Sequence, residues 1–188
     1  QGREQGIRRL MSINLLKRLE SSVYSFHLTL TRILDLITDT IKAIDDYEKY
    51  GQADIDMVEA SEDDFDMEDG NTDYFTVGKK VKIDLADMDY KTWRAELQQD
   101  AENLELLTLM IADITPEHDL KLQNLLHLLD EKMRTLINVG NKKVLIFSAF
   151  SDTAEYLYDQ VAGYVKEKYG LDTAVITGSI DGRTTIKG

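Results

Sequence analysis

The chain has 188 residues, of which 43% are hydrophobic and 30% are charged, and its formal net charge is −13 at pH 7. This balance predicts a folded globular protein, and the lack of cysteine excludes a disulfide framework and a thiolate metal site. No apolar run approaches the ~18 residues of a membrane span, and no signal-peptide pattern occurs at the start, so we expect a cytoplasmic protein that does not bind membranes.

The first predicted element is one long helix from Ser12 to about Tyr50, because apolar residues recur there at steps of three and four without proline or internal glycine. A second helix is expected to follow a cap at Asp89, and a third is expected to follow a cap formed by Thr115 and Pro116. Their apolar stripes predict a helical bundle or hairpin.

The negative charge is concentrated between the first two helices, in an acidic insert at about 52–73 that contains ten acidic residues and no lysine or arginine. Such dense like charge predicts a solvated loop or short helix. A calcium loop would place Asp64, Asp66 and Glu68 at its first ligand positions, but Asp69 stands where glycine is needed, so we expect no metal site. After the insert, the alternating pattern of Lys79 to Asp89 predicts a short strand.

At Gly140 the pattern changes from helical to α/β. The run "VLIFSAF" is continuously apolar, as is typical of a buried parallel strand, and Asp152 and Glu155 resemble a capping pair for the helix that follows. Gly170 is expected to end that helix, and "TAVITG" is predicted to be a second strand. Strand, helix and strand in this order predict the first βαβ unit of a parallel sheet.

The sequence contains no familiar catalytic motif. It has neither the Walker A string nor the G-x-G-x-x-G fingerprint, and the histidines lack ligand spacing, so no catalytic and no metal-binding residue is assigned. Small polar residues do follow both predicted strands, at the edge where open α/β sheets bind ligands. We interpret Ser148, Ser151, Thr177, Gly178 and Ser179 as candidate phosphate contacts; the alternative is that they only cap a helix and turn the chain.

Several stretches together resemble the Snf2-like group of superfamily 2 helicases, of the bacterial helicase-related type. "KVLIFSAFSDTAEYLYDQV" and "TAVITGS" are similar to the opening of the second RecA-like lobe, and "HDLKLQNLLHLLDEKM" is similar to the helix that precedes it. "RRLMSINLLKRLESSVYSFHLTLTRIL" resembles the basic helical region between the lobes, although His27 stands where arginine is expected. The resemblance covers roughly 85 residues at the two ends of the chain.

The resemblance implies an ATP-dependent translocase on double-stranded DNA, with ATP and Mg²⁺ bound in the parent protein between two lobes. It implies nucleic-acid backbone contacts at six strand-end residues: Ser148, Phe150, Ser151, Thr177, Gly178 and Ser179. Possible basic contacts are Arg8, Arg9, Lys17 and Arg18. Other proteins are possible partners through the long helix or the acidic insert.

These implications divide the chain into two parts. Residues 1–139 are expected to form the helical inter-lobe region with its acidic insert, and residues 140–188 are expected to begin the second RecA-like lobe. We interpret the chain as a piece of a longer protein and expect it to be inactive as an ATPase, because Walker A, Walker B and arginine-finger motifs are absent from it. The alternative is a non-catalytic helical interaction module joined to a flavodoxin-like α/β domain.

Overall fold

A computed structural model describes residues 2–50, 85–135, 139–178 and 181–187. These ranges are mostly helical, with one small two-stranded sheet. Their elements, in chain order, are α1 (Gly2–Ser21), α2 (Val23–Tyr50), a 3₁₀ turn (Leu85–Asp87), α3 (Tyr90–Ala112), α4 (Leu120–Arg134), α5 (Ser151–Tyr169), β1 (Ala174–Val175) and β2 (Arg183–Thr184). The acidic insert at 52–73 and most of the predicted strand Lys79 to Asp89 lie outside the described residues.

The predicted single long helix is divided at Ser22, and its first part, α1, begins at Gly2 and not at Ser12. The Ser22 hydroxyl accepts a hydrogen bond from the backbone N–H of Tyr24 at 3.1 Å, which satisfies one of the donors left open where α2 begins. The side chain of Ser22 is itself buried. The apolar stripe continues across the break, so periodicity alone did not reveal it; the serine pair "SS" was the available signal for a new helix start.

Helices α2 and α3 pack against each other along their lengths. Ile44 and Leu85 are fully buried at the end of this pair, and partly buried apolar side chains surround them, including Tyr47, Tyr90 and Trp93. The predicted strand is therefore wrong at Leu85, which lies in a 3₁₀ turn. The need to bury this leucine against α2 outweighs the local alternating pattern.

The predicted helix caps are confirmed at one position, shifted at another and wrong at a third. The capping pair predicted at Asp152 and Glu155 is not formed, because α5 begins directly after Phe150 without a side-chain cap. Asp89 caps α3, because its carboxylate accepts the backbone N–H of Thr92 at 3.1 Å. The cap of α4 is Asp119, whose Oδ1 accepts the N–H groups of Lys121 and Leu122 at 3.0 and 3.1 Å. Thr115 and Pro116 were predicted to form this cap, but they instead belong to the turn that precedes it.

Helices α4 and α5 share the second core, in which the buried side chains are Leu122, Leu129, Tyr156, Val161 and Val165. Gly170 ends α5 as predicted, with a φ of 66° in the left-handed region. At that φ glycine carries no Cβ penalty, so the chain can leave the helix and enter the following segment directly.

The sheet differs from the prediction. β1 pairs with β2 in an antiparallel arrangement, and the run Val144 to Phe147 pairs with no strand of the described residues. The predicted parallel pairing between the two strands of a βαβ unit is therefore not formed. Both runs line the same groove over α5, but the edge of β1 that is paired within the described residues faces β2 and not the run Val144 to Phe147.

Gly170, which follows α5, and Gly163, inside it, provide a matched test of where the helix ends. We expect Gly170→Ala to lower the free energy of unfolding by about 1–2 kcal/mol, because alanine is strained at positive φ. A Cβ at Gly170 would meet no atom within 4 Å, so the cost comes from the backbone alone. Urea denaturation measures the change.

Gly163 is the control, since it lies inside α5 and a Cβ there also meets no atom within 4 Å. Gly163→Ala is expected to raise the free energy of unfolding by about 0.5–1 kcal/mol, because alanine has the higher helix propensity. Equal effects of the same sign at both positions would contradict the assigned end of α5.

Candidate functional site

Four of the six predicted strand-end residues lie together. Ser148, Phe150, Ser151 and Thr177 all line one cavity of about 260 Å³ between the start of α5 and the segment that contains β1. Gly178 follows Thr177 and is exposed, and Ser179 lies outside the described residues. The fold thus brings the ends of both predicted strands to one place, although the strands themselves do not pair.

The polar groups at this place are already engaged within the chain. The Ser148 hydroxyl donates to the carbonyl oxygen of Phe150 at 3.0 Å, and it accepts the N–H of the same residue at 3.1 Å. Phe150 and Ser151 are both buried. Nucleic-acid contact by these residues stays a prediction, and their burial means that only part of each side chain faces the cavity.

A polar cluster beside this cavity is centred on Asp152, in the first turn of α5. Its Oδ2 accepts hydrogen bonds from Arg18 Nη1 at 2.9 Å and from Arg32 Nη1 at 3.0 Å, and its Oδ1 accepts from Arg32 Nη2 at 3.3 Å. The side chains of Asp152, Arg18 and Arg32 are 16%, 8% and 25% exposed. One carboxylate therefore ties α1 and α2 to the start of α5.

A row of hydroxyls continues this contact. Thr153 Oγ1 lies 2.9 Å from Ser21 Oγ and 2.7 Å from Ser25 Oγ, and both Thr153 and Ser25 are buried. The Arg18 guanidinium also lies over the ring of Phe150, 4.8 Å from its centroid. We call the set Arg18, Ser21, Ser25, Arg32, Asp152 and Thr153 the α5 joint. Buried, mutually satisfied polar groups of this kind fix one arrangement of the elements that carry them.

The predicted basic contacts divide into two groups. Arg8, Arg9 and Lys17 are exposed on α1, where they can approach a polyanion. Arg18 differs, because it is buried and paired with Asp152. The charge of Arg18 stabilises the α5 joint. Arg18 is therefore not the exposed cation that its prediction as a basic contact assumed. Sequence reasoning missed Arg32 and Asp152 as partners because 120 residues separate them.

A second polar cluster joins α4 to α5 next to the α5 joint. Tyr156 is buried, donates to Asp119 Oδ2 at 3.0 Å, and stacks on Tyr24 with a centroid distance of 4.7 Å. Burial, followed by the hydrogen bond to Asp119, raises the pKa of the Tyr156 phenol well above its ordinary value. Tyr156 therefore stays neutral and serves as a structural donor.

A third cluster surrounds Asp130 of α4. Its carboxylate accepts hydrogen bonds from Lys168 Nζ at 2.6 Å, Tyr169 OH at 2.6 Å and Tyr164 OH at 2.7 Å. These bonds, of which the one from Lys168 is the largest cause, hold the pKa of the Asp130 carboxyl well below its usual range. All three donors lie on α5, so the cluster fastens the end of α5 to α4.

The described ranges contain no group of three or more histidine, cysteine or acidic side chains that could hold a metal ion. The candidate calcium frame of Asp64, Asp66 and Glu68 lies outside them. No helix of the described part of the chain is long and apolar enough to cross a membrane.

Comparisons with known proteins give no match: no family model, no curated protein and no solved structure resembles the chain significantly. The functional argument therefore depends on the residues and their geometry.

The α5 joint is tested by Asp152→Asn, which keeps the shape of the side chain and removes its charge. The substitution leaves the buried Arg18 without its carboxylate, so we expect the free energy of unfolding to fall by about 2–3 kcal/mol, less than for a fully buried pair because Arg32 is partly exposed. Chemical denaturation at low salt measures the loss.

Asp159→Asn on the same helix is the matched control. Asp159 pairs with Arg183 at 2.7 Å, but these two side chains are 52% and 46% exposed. An exposed pair contributes about 0–1 kcal/mol, so the control is expected to change stability little. If both substitutions cost the same, the α5 joint does not stabilise the fold as described.

The Asp130 cluster predicts a specific dependence on pH. Because the folded-state pKa of Asp130 is depressed, its stabilisation is present above the unfolded pKa of about 3.9 and is lost as the pH falls through the folded-state pKa. Asp130→Asn should therefore be less stable than the natural chain at pH 7, and the difference should shrink below about pH 3.9. Denaturation between pH 7 and pH 2 measures both curves.

Asp100→Asn, at an exposed position of α3, serves as the control for charge removal in general. The free energy of unfolding of Asp100→Asn is expected to equal that of the natural chain between pH 7 and pH 2. A gap between Asp130→Asn and the natural chain that stays constant down to pH 2 would show that the hydrogen bonds do not favour the ionised carboxyl.

Proposed function

We propose that this chain is part of an ATP-dependent DNA translocase of the Snf2-like type. In this proposal residues 1–139 supply the helical bridge between two RecA-like lobes, and residues 140–188 supply the beginning of the second lobe with its nucleic-acid-binding edge. ATP and Mg²⁺ belong to the parent protein, and the residues of this chain position the DNA backbone.

One observation carries the proposal: the ends of both predicted strands meet at one cavity. Ligands of open α/β sheets bind outside the carboxyl ends of the strands, and Ser148 and Thr177 line a common cavity at these ends. The cavity also lies at the start of α5, where backbone N–H groups and the helix dipole favour anions. Hydroxyl groups in this setting suit phosphate oxygens and read no base.

The α5 joint supports the bridge part of the proposal. A segment that transmits movement between two lobes must be fastened to at least one of them. Two arginines and two serines of α1 and α2 contact the first turn of α5. The bridge and the strand-end cavity therefore move as one body for as long as the joint is intact.

The charge distribution supports a polyanion as the partner. Arg8, Arg9 and Lys17 are exposed on α1, and α1 ends at the α5 joint beside the cavity. The net charge of the whole chain opposes DNA binding, but binding depends on local contacts between cations and phosphates. The exposed cations of α1 are therefore expected to carry the salt-dependent part of DNA affinity.

The exposed second half of α3 favours the alternative of a helical interaction module. Leu106, Leu109 and Met110 are 59%, 69% and 68% exposed there. Apolar surface of this extent marks contact sites between proteins. On the alternative, the chain binds a protein partner through α3 and shows no salt-dependent DNA affinity.

The experiment that separates the two measures binding of labelled double-stranded DNA to the 188-residue chain by fluorescence anisotropy between 50 and 200 mM salt. The triple variant Arg8→Gln, Arg9→Gln and Lys17→Gln is compared with the natural chain. Loss of three phosphate contacts should reduce the slope of log affinity against log salt by about 2.7.

A second triple variant, Lys42→Gln, Lys49→Gln and Lys91→Gln, removes the same charge from exposed positions at the other end of α2 and the start of α3. This variant is expected to show the same slope of log affinity against log salt as the natural chain. No DNA binding at 50 mM salt, or an equal change in both variants, would contradict the assigned surface. DNA-stimulated ATP hydrolysis by the chain alone would show that its catalytic residues have been misplaced.

A further inference from the structure

Helix α1 turns polar side chains inward and apolar side chains outward. Its buried residues are Asn14 and Arg18, at 8% and 7% exposure. By contrast, Ile13, Leu16 and Leu19 are 40%, 59% and 39% exposed. A surface helix normally packs its apolar stripe on the body that it belongs to. The outer side of α1 is therefore apolar surface that the described part of the chain leaves uncovered.

Cations flank this apolar surface. Arg9 and Lys17 are exposed, and neither side chain forms an ion pair within the described ranges. Glu20 is the only acidic residue between positions 5 and 21, and it lies beyond Lys17. A polyanion would neutralise the cations but would leave Ile13 and Leu16 in water. The surface as a whole suits a partner that is both apolar and acidic.

The outer side of α3 has this character. Leu106, Leu109 and Met110 are 59%, 69% and 68% exposed there. The 26 residues between Arg94 and Lys121 include seven acidic residues and no lysine or arginine. The exposed apolar side chains of α3 thus lie in a stretch of uniformly negative charge.

The charges on the two helices have the same spacing. Arg9 and Lys17 are eight residues apart, and so are the exposed residues Glu105 and Asp113. At 1.5 Å per residue each pair spans about 12 Å. Exposed apolar side chains lie between the two charges on both helices. The α1 face consists of Arg9, Ile13, Leu16 and Lys17, and the α3 face consists of Glu105, Leu106, Leu109, Met110 and Asp113.

The α1 face cannot cover the α3 face of its own chain. α1 runs on into α2, because the backbone N–H of Ser22 still donates to the carbonyl of Arg18 at 2.9 Å. α3 packs against α2, and its Leu97 contacts the buried core at the end of α2. At ~100° per residue, Leu106 and Met110 lie about 180° and 140° around α3 from Leu97. The α3 face therefore points away from α2, and its occupant comes from another molecule.

We propose that this occupant is a second copy of the chain, with the α1 face of each copy packed against the α3 face of the other. One chain carries both complementary faces, and a two-fold axis lets the contact form twice in one dimer. The apolar side chains leave water at the middle of each contact, and the opposite charges meet at its ends. The inference does not rest on the proposed DNA translocation.

Sedimentation of the 188-residue chain between about 1 and about 300 µM tests the association. We expect the measured mass to rise from that of one chain toward that of two. One variant, Arg9→Glu with Lys17→Glu, reverses the charge of the α1 face, and another, Glu105→Lys with Asp113→Lys, reverses that of the α3 face. Each variant alone should self-associate at least about tenfold more weakly, because like charges then face each other.

An equimolar mixture of the two variants restores opposite charges at both contacts, so it should dimerise as the natural chain does. Lys42→Glu with Lys91→Glu makes the same change in charge at exposed positions outside both faces and should leave association unchanged. All the substituted positions are exposed, so each variant is expected to unfold at the urea concentration of the natural chain.

The apolar part of the contact is tested by Leu109→Asp, which should weaken association at least about tenfold. Leu128→Asp on α4, where the leucine is 51% exposed, is the matched control and should have no effect. The proposal is overturned if the natural chain stays monomeric at the highest concentration. It is also overturned if the mixture associates no better than its two components, or if the control variants weaken association equally.

Discussion

The contact on which the described structure most depends is the one between the carboxylate of Asp152 and two arginines. Arg18 and Arg32 come from different helices, and both donate to this carboxylate within 3.0 Å. Because Arg18 is buried, its charge needs a partner, and Asp152 also suits the positive end of the α5 dipole. The break at Ser22 orients α1 and α2 so that both can reach α5. The strand-end cavity lies beside α5, which this joint fastens to α1 and α2.

Much of the helical part was predictable from local sequence. Apolar periodicity indicated where the helices run. Asp89 marks the start of α3 because its own side chain accepts the capping hydrogen bond, and Gly170 marks the end of α5 because glycine adopts the positive φ angle found there. Local signals failed where two of them competed. Thr115 and Pro116 resemble a cap, but Asp119, four residues further on, accepts two backbone N–H groups and begins α4.

The remaining features depend on contacts that no local pattern encodes. From the sequence, Asp152 was interpreted as a capping residue, and Arg18 and Arg32 were only two of the basic residues in a basic helical region. The hydrogen bonds that join the three depend on the fold. The parallel sheet was inferred from two apolar runs, yet within the described residues β1 pairs with β2 and not with the run Val144 to Phe147. Four of the predicted strand-end residues, Ser148, Phe150, Ser151 and Thr177, line one cavity at the start of α5.

The account holds that the ion-pair cluster around Asp152 fastens α1 and α2 to the start of α5. A double-mutant cycle of Arg18→Gln and Asp152→Asn, read as free energies of unfolding, measures that joint directly. We predict a coupling energy of at least about 1 kcal/mol, because the two side chains share a partly buried, charge-assisted hydrogen bond. Effects that add within about 0.5 kcal/mol would contradict the account, since they would show that the two residues act independently.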